Sequence, residues 1–387
     1  MRAFLTALAT AALVASAAAP AGAADGNPSH GPVGGARLGT SPAVVVAGHA
    51  ATPMPAVRAR AWLIADLDTG EVLAARAPHA RLRPASTLKT LTALVLLPRM
   101  NRSRVITGLD ADAAIDGSKV GVSPGLRYSV DTLFLGMFLN SGNDAVHALA
   151  RTDAGGVPAT IRRMNAKAAE LGALDTTVTD PTGLDADGQL SSAYDLALIA
   201  RAGLQRKDFS RYAATRISYY PMRAGGRYQI SNQNRLLFSY PGALGVKTGF
   251  TTLARNTFVG AAQRDGHRLV VTLLNSPHGV TQDAAALLDW TFANRATLDG
   301  IGTLVTPAEV ARIRPTAPAT TEVPDPVEPA GSAAKPDLTA DGPLRVVQTA
   351  VARLPMWAYG VPPLLLVLTW MRPRPKARRA KARRGRR

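Results

Sequence analysis

The chain has 387 residues, which is room for one large domain or two medium-sized ones, and its 47% hydrophobic residues can form a sizeable core. It contains no cysteine, which excludes disulfide bonds, thiolate metal sites and a cysteine nucleophile. The formal net charge is +18, but ten Lys and Arg residues lie in 372–387, so that 18 minus 10, or +8, remains for the rest. This distribution indicates a basic tail rather than a basic binding face, and we do not expect nucleic acid binding.

The N-terminal residues 1–23 have the pattern of a secretory signal peptide. Arg2 gives a short positive region, residues 3–18 are uncharged and rich in Ala and Leu, and residues 21–23 are small enough for a cleavage site. The alternative is a buried N-terminal helix. Residues 24–52 are rich in Gly, Pro and Ala without periodicity, and they are predicted to be a flexible linker.

The folded part of the chain is predicted to span residues 53–298. Two apolar runs on either side of Asp68-Thr69-Gly70 predict a β-hairpin. A helical middle follows, with helices expected at 84–100, 130–139, 144–151, 159–171 and 192–204. Strand patterns then return at 246–248, 256–263 and 268–274, and a helix at 283–296 closes the region. The predicted class is α+β, an antiparallel sheet built from both ends of the region with a helical insertion between them.

Three segments follow the folded region. Residues 299–343 contain seven prolines between 315 and 343 and are predicted to be a Pro-rich linker. Residues 354–371 carry no charge, and at roughly 1.5 Å per residue they would just cross a hydrocarbon core as a transmembrane helix. The basic tail 372–387 would then stay cytoplasmic, which places the folded region outside the cell membrane. The alternative is an interfacial segment whose tail binds anionic lipid.

The first motif with chemical potential is Ser86-Thr87-Leu88-Lys89. Residues three apart on a helix lie on one face, so the Lys89 amine can reach the Ser86 hydroxyl. A serine hydroxyl is a weak nucleophile that needs a base, and burial beside another cation favours the neutral lysine that can act as one. A helix N-terminus also favours developing negative charge. Alone, the motif fits a helix N-cap and a surface lysine equally well.

Two further short motifs carry groups that such a nucleophile can use. In Ser141-Gly142-Asn143 the serine can relay a proton, and the asparagine amide can donate and accept hydrogen bonds. In Lys247-Thr248-Gly249 the lysine supplies a cation, the threonine offers a hydroxyl to a carboxylate, and the glycine leaves room for a substrate backbone. Each motif alone fits an ordinary loop or strand end.

Taken in this order, 55 and 106 residues apart, the three motifs resemble those of the penicillin-binding proteins and serine β-lactamases. The surrounding sequence is similar to the low-molecular-weight D-alanyl-D-alanine carboxypeptidases in particular. The similar stretches within about 53–298 are 65–73, 83–86, 164–165, 171–172, 181–184 and 191–196. The resemblance implies the β-lactamase/penicillin-binding-protein (DD-peptidase) transpeptidase-like fold, with helices on both faces of the sheet.

The resemblance also implies a serine peptidase reaction on peptidoglycan stem peptides. Ser86 would attack the carbonyl between two D-alanines, and Lys89 would take its proton. Ser141 and Lys247 would help to move the proton to the leaving amine, and Asn143 would hold the acyl-side amide. No metal or cofactor is implied.

Substrate binding is implied for the strand that carries the third motif. Thr248 would bind the terminal carboxylate, with Gly249 and Thr251 beside it. The backbone N–H groups of Ser86 and Phe250 would form the oxyanion hole, commonly worth about 3 kcal/mol per donor. The expected partners are a stem peptide ending in D-Ala-D-Ala, β-lactams that acylate the serine, and the membrane.

The sequence departs from the family pattern in three respects. Some relatives carry an arginine that binds the substrate carboxylate, and a simple count places Gln282 there, so this role is left to Thr248, Lys247, Thr251 or another basic residue. The Pro-rich linker begins too early to leave space for a second β-rich domain. The predicted anchor is a C-terminal helix rather than an amphipathic surface helix.

Several alternatives remain open. A D,D-endopeptidase uses the same residues, whereas a transpeptidase usually carries more domains. A β-lactamase needs a glutamate for deacylation, and 175–185 offers only aspartates. Intact motifs oppose a non-catalytic wall-binding scaffold. A Ser-His-Asp hydrolase lacks its Gly-x-Ser-x-Gly turn, and four histidines are expected to be surface or packing residues: His79, His147, His267 and His278.

Overall fold

The computed structural model describes residues 32–39 and 41–313. The predicted signal peptide, the predicted membrane helix 354–371, the basic tail and most of the Pro-rich linker lie outside these residues. Within the described ranges, no helix is both long enough and apolar enough to cross a membrane.

An eight-stranded antiparallel sheet forms the centre of the fold. The strands of the structure are β1 (Val44–Gly48), β2 (Ala61–Asp66), β3 (Glu71–Arg76), β4 (Val105–Thr107), β5 (Arg127–Ser129), β6 (Ile217–Pro221), β7 (Arg227–Ser231), β8 (Ala243–Thr251), β9 (Arg255–Arg264), β10 (His267–Ser276), β11 (Leu298–Asp299) and β12 (Gly302–Thr303). The central sheet has the order β11-β1-β3-β2-β10-β9-β8, and β12 also pairs with β3. Strands from both ends of the region therefore meet in one sheet, as predicted.

Helices fill the insertion between β3 and β8 and close the fold after β10. They are α1 (Lys89–Leu96), α2 (Asp110–Ala114), α3 (Val130–Leu139), α4 (Asn143–Thr152), α5 (Gly156–Leu171), α6 (Ala193–Leu204), α7 (Lys207–Ala214), α8 (Leu236–Ser239), α9 (Val280–Asn294) and α10 (Pro307–Ile313). Two small sheets, β4–β5 and β6–β7, also lie in the insertion. The sequence patterns located the long helices and missed these two small sheets.

The central sheet is covered on both faces because its inner strands are apolar at successive positions. All six residues of β2 are buried, and adjacent side chains of a strand point to opposite faces. Leu63 belongs to the core beneath the helical insertion, whereas Trp62 and Ile64 belong to a second core that includes Leu287 and Leu288 of α9. The predicted α+β fold, with helices on both faces of the sheet, is confirmed.

The helix predicted over 84–100 is shorter and begins differently. Residues Ala85–Leu88 form a 3₁₀ turn, and the α-helix itself runs only from Lys89 to Leu96. Ala85 has a φ of 48°, in the left-handed region, which prevents a regular helical start at Pro84. Pro98 lacks the N–H that would continue the hydrogen-bond ladder after Leu96.

The predicted linkers were too wide on both sides of the folded region. Val44–Gly48 is a strand that pairs with β3, and Leu38 is fully buried, although 24–52 was predicted to be flexible. Residues 299–312 also belong to the fold, since β12 pairs with β3 and Val310 is buried. Neither segment has a clear hydrophobic periodicity, and contacts with distant residues, including pairing with β3, order both of them.

Candidate active site

Ser86 and Lys89 lie where the 3₁₀ turn passes into α1. The Lys89 Nζ atom lies 2.7 Å from Ser86 Oγ. The turn is held by hydrogen bonds to the Pro84 carbonyl, which accepts from Thr87 Oγ1 at 2.6 Å and from Thr257 Oγ1 at 2.8 Å. Two side chains from different elements therefore fix the backbone that carries the serine.

Lys89 is almost completely buried, and its amine contacts only neutral oxygen atoms. Besides Ser86, it donates to Asn143 Oδ1 and to the Thr182 carbonyl oxygen, both at 2.6 Å. Burial, and then the charge of Lys247, hold the pKa of Lys89 well below its usual value, and Asp180 and Asp144 oppose this shift. The environment therefore favours the neutral amine.

Lys247 is the second buried amine of the site. It is 2% exposed and donates to the carbonyl oxygen of Thr248 at 2.8 Å. Burial lowers the pKa of Lys247 to about 7. Since its charge also lowers the pKa of Lys89, the two amines lie close enough to interact.

Ser141 lies between α3 and α4 in a left-handed conformation, with a φ of 58°. The side chain is buried, and among the described residues its Oγ has no hydrogen-bond partner. A buried polar atom without a partner and a strained backbone are both features that concentrate at functional sites. The Ser141 hydroxyl is thus free to bond a substrate or a water molecule.

The loop before β5 is attached to the Ser141–Asn143 motif through buried groups. Asn143 Nδ2 donates to the Asp116 carbonyl oxygen at 2.7 Å, which orients its Oδ1 toward Lys89. The buried Asp144 carboxylate accepts from the backbone N–H groups of Val120, Gly121 and Val122 at 2.7–3.1 Å. Sequence reasoning missed Asp144, although it directly follows the motif.

Strand β8 approaches the serine turn closely because residue 249 is glycine. A Cβ at Gly249 would lie 2.5 Å from Thr257 Oγ1 and 2.7 Å from Ser86 N. The sequence suggested that this glycine makes room for substrate, whereas the structure shows that it makes room for the turn. Thr248 is partly exposed and Phe250 is 65% exposed, on an edge where no described strand pairs with β8.

The structure describes the surroundings of Thr251, which was considered for carboxylate binding, and of Gln282, which occupies the position counted for the family's arginine. The Thr251 hydroxyl donates to Asp185 Oδ1 at 3.0 Å, so its proton is already engaged. Gln282 is exposed in the first turn of α9. The nearby Arg58 is paired with Asp283 at 2.6 Å.

The segment 180–184 is a further side of the candidate active site, here called the third wall because it lies beside the serine turn in addition to the Ser141–Asn143 motif and β8. The sequence indicated this segment only as part of the family pattern. Gly183 has a φ of 83°, and a Cβ there would lie 2.1 Å from the Ala85 carbonyl oxygen. Gln189 accepts from the backbone N–H groups of Thr179 and Asp180 and donates to the Leu184 carbonyl oxygen. These contacts position the Thr182 carbonyl against Lys89, a role that no side-chain motif reveals.

One cluster elsewhere brings together groups that commonly bind metals. His79, Asp175 and Asp195 offer atoms within 4.8 Å of one another. His79 Nδ1 lies 2.7 Å from Asp175 Oδ2, and His79 Nε2 lies 2.9 Å from the Val33 carbonyl oxygen. The cluster shares no hydrogen bond with Ser86 or Lys89 among the described contacts. The predicted site needs no metal, and these residues join the N-terminal segment to α6.

The sheet and its flanking helices are those of the DD-peptidases and penicillin-binding proteins. Residues 48–278 match the Peptidase_S11 family, D-alanyl-D-alanine carboxypeptidase. The chain therefore belongs to this family of serine DD-carboxypeptidases, and the resemblance to low-molecular-weight penicillin-binding proteins is confirmed.

Individual relatives agree with this membership. The D-alanyl-D-alanine carboxypeptidase DacB2 of Mycobacterium tuberculosis is 42% identical over 251 residues, which cover 62% of this chain and 84% of that protein. DacF of Bacillus subtilis is 30% identical over 246 residues, which cover 62% of this chain and 63% of that protein.

Solved structures show the same fold. A crystal structure of a D-alanyl-D-alanine carboxypeptidase from Mycobacterium tuberculosis gives a TM-score of 0.64 at 40% identity, covering 67% of this chain and all of that one. A Streptomyces DD-transpeptidase gives a TM-score of 0.59 at 29% identity, covering 62% of this chain and all of that one.

Proposed function

We propose that this protein removes the terminal D-alanine from peptidoglycan stem pentapeptides through an acyl-enzyme on Ser86. The observation that carries the proposal is the buried Lys89 amine, 2.7 Å from Ser86 Oγ and otherwise bonded to two carbonyl oxygens. A neutral amine has two N–H donors and one lone pair. The two carbonyl oxygens take the two donors, which leaves the lone pair for the serine proton.

Acylation then follows from this arrangement. Lys89 accepts the Ser86 proton as Oγ attacks the carbonyl carbon between the two D-alanines. The negative charge that develops on the carbonyl oxygen is stabilised by the backbone N–H groups of Ser86 and Phe250. The close approach of Gly249 to Ser86 N supports this pairing, because it brings β8 against the serine turn.

Collapse of the tetrahedral intermediate breaks the peptide bond and releases D-alanine. The leaving nitrogen needs a proton, and in our proposal Lys89 gives up the proton that it took from Ser86 by relay through the unpartnered Ser141 hydroxyl and Lys247, which leaves Lys89 neutral again. Thr248 binds the terminal carboxylate, and Asn143 holds the acyl-side amide. Water then attacks the ester with Lys89 as base, which restores the serine.

The same nucleophile accounts for inhibition by β-lactams, which resemble the D-Ala-D-Ala end and leave a stable ester on Ser86. We also propose that 1–23 is a signal peptide and that 354–371 anchors the catalytic region outside the cell membrane. The pattern of small residues, the uncharged stretch and the basic tail 372–387 support this location.

The test is D-alanine release from a diacylated Lys-D-Ala-D-Ala peptide by the purified full chain in mild detergent. The wild-type chain should release D-alanine, and Ser86→Ala should release none above background. Ser239→Ala, a change at an exposed serine of α8, is the matched control and should retain activity. Release by Ser86→Ala at the wild-type rate would disprove the proposed nucleophile, and a folded wild-type chain without release would disprove the proposed reaction.

A further inference from the structure

The β6–β7 hairpin lies in a long segment that has no negative charge. Residues 209–264 contain eight Lys and Arg residues and no Asp or Glu. Arg211 and Arg264 are paired with Asp131 and Asp289, and Lys247 is buried. The remaining five arginines are exposed and form no ion pair with any described residue: Arg216, Arg223, Arg227, Arg235 and Arg255. A cationic surface therefore remains uncompensated in this part of the domain.

The outward face of the hairpin combines two of these arginines, Arg227 on β7 and Arg223 in the turn, with exposed aromatic and aliphatic side chains. Alternate residues of the two strands point outward; Tyr219 lies opposite Gln229, and Pro221 lies opposite Arg227. Tyr219 is 59% exposed, whereas the inward Tyr220 is buried and stacks on Tyr128 with ring centroids 5.4 Å apart. The hairpin is therefore anchored by one face, and the other face, with Tyr219 and Arg227 on the strands and Arg223 in the turn, is open to a partner.

Hydrogen bonds connect the hairpin to both sides of the Ser141–Asn143 motif. Tyr228 Oη donates to the Val120 carbonyl oxygen, and Asp144 binds the Val120 N–H at 3.0 Å. Beyond β7, Gln233 N donates to the Leu139 carbonyl oxygen at 3.1 Å, immediately before the motif. The hairpin is therefore joined, through the inward Tyr228 and the segment after β7, to residues that flank the Ser141–Asn143 motif.

We propose that this outward face binds the acidic, polymeric part of the peptidoglycan substrate, so that the enzyme acts on wall polymer in preference to short peptides. The inference rests on the proposed function. Stem peptides carry free carboxylates, which arginine forks recognise well, and the sugar rings of the polymer can stack on Tyr219. A membrane surface fits less well, because Gln229 and Ser231 interrupt the apolar area of the face.

The test compares the full chain in mild detergent on two substrates, a diacylated Lys-D-Ala-D-Ala peptide and soluble peptidoglycan fragments ending in D-Ala-D-Ala. The readout is the ratio of kcat/KM for fragments to kcat/KM for peptide. The double variant Arg223→Glu/Arg227→Glu should lower this ratio about tenfold, since it reverses two exposed charges at the hairpin tip. The matched control Arg37→Glu/Arg162→Glu makes the same charge change at exposed positions elsewhere and should keep the ratio.

Two further arms identify the partner. The wild-type ratio should fall when salt rises from about 0.02 M to about 0.5 M, because exposed charges are then screened. Fragments whose stem-peptide carboxylates have been amidated, with the terminal D-alanine carboxylate left free, should show a lower ratio with the wild-type chain and little further loss with the hairpin variant.

The outcomes separate the two proposals. Absence of D-alanine release from the short peptide by the wild-type chain would overturn the proposed reaction. Normal release from the peptide, with an unchanged ratio in the hairpin variant, would overturn the hairpin inference alone. Loss of binding to phosphatidylglycerol vesicles by the hairpin variant, with an unchanged ratio, would also overturn it and assign the face to lipid.

Discussion

Lys89 and Asp112 are both buried in the helical insertion, but their surroundings differ. Burial alone would raise the pKa of Asp112, yet hydrogen bonds from His147 and Arg151 lower it to about 2. Its carboxylate accepts from His147 Nδ1 and from Arg151 Nε and Nη2, each at 2.7 Å. Lys89 contacts no carboxylate, and burial instead lowers its pKa.

This difference shows what each region of the insertion contributes. The cluster around Asp112 compensates its buried charge and joins α2 to α4, so it stabilises the scaffold. The region around Lys89 and Lys247 leaves two buried amines without a compensating ion pair, which lowers stability but also lowers the pKa of both amines, as the proposed general base requires. We therefore expect substitutions in the first region to lower stability and substitutions in the second to lower activity.

The largest effect is expected for Lys89→Met. Removal of the base should reduce acylation of Ser86 about 10³-fold, within the range for a positioned general base. The free energy of unfolding should rise or stay constant, because an apolar side chain replaces a buried amine. Stopped-flow acylation by a fluorescent penicillin and urea unfolding measure the two quantities. Acylation of this variant at the wild-type rate would contradict the claim that the region around Lys89 serves activity rather than stability.

Asp112→Asn should have the opposite signature. Loss of the charge beside Arg151 and His147 should lower the free energy of unfolding by about 3 kcal/mol, with acylation changed little. In the folded state the pKa of Asp112 is depressed to about 2. The stabilisation by the Asp112 charge is therefore fully present above the usual pKa of an aspartate, and it is lost as pH falls through about 2. Asp187→Asn, at an exposed aspartate, is the control for urea unfolding at pH 7 and should be neutral.

Gly183→Ala tests the contact between the third wall and the serine turn. The new Cβ would meet the Ala85 carbonyl oxygen, so we expect a loss of about 2–3 kcal/mol in stability and a clear loss of acylation rate. Gly188→Ala is the matched control, since Gly188 is also left-handed, with a φ of 75°, but has no atom within 4 Å of the Cβ position. It should cost only about 1 kcal/mol and leave acylation unchanged. Equal acylation rates for both variants would argue against a positioning role for Gly183.

Lys247→Met should show, through the pH dependence of the free energy of unfolding, how much the buried Lys247 amine lowers stability. Because burial depresses the pKa of Lys247 to about 7, the folded chain binds fewer protons here than the unfolded chain between about pH 7 and pH 10. Wild-type stability therefore rises with pH in this window, and the stability advantage of Lys247→Met should be largest near pH 6 and should shrink toward pH 10. Urea unfolding at both pH values measures this. An advantage independent of pH would contradict a buried, titrating Lys247.

Ser141→Ala is expected to have the smallest effect on stability. The hydroxyl has no described partner, so its removal should change the free energy of unfolding by less than about 1 kcal/mol. D-alanine release should nevertheless fall about 10–100-fold, because the proposed proton relay is lost. A matched loss of stability and activity would indicate a structural hydroxyl instead.

Sequence patterns predicted the fold class and the β2–β3 hairpin, and hydrogen bonds in the structure join the predicted site residues Ser86, Lys89 and Asn143. Ser86 and Lys89 could be paired because they are close along the chain, and a known order of motifs linked them to Ser141 and Lys247. The Thr182 carbonyl could not be predicted in this way. It is 93 residues from Lys89 and acts through its backbone, which every residue shares.

The ends of the domain were missed for a related reason. Val44–Gly48 and Gly302–Thr303 have little periodicity, and each is ordered by pairing with β3 rather than by its own pattern. The reason for glycine at position 249 was likewise hidden, because the atoms that would collide with a side chain belong to Ser86, Thr87 and Thr257. Local sequence thus specifies elements and reactive groups, and contacts between distant segments decide how they fit.

The most direct test of the account is to locate the residue that a penicillin acylates. The full chain would be incubated with a fluorescent penicillin and digested, and the labelled peptide identified by mass spectrometry, with Ser86→Ala as control. We predict one adduct on Ser86 in the wild-type chain and none in Ser86→Ala. An adduct on a different residue, or no adduct on a folded wild-type chain, would contradict the assignment of Ser86 as the nucleophile.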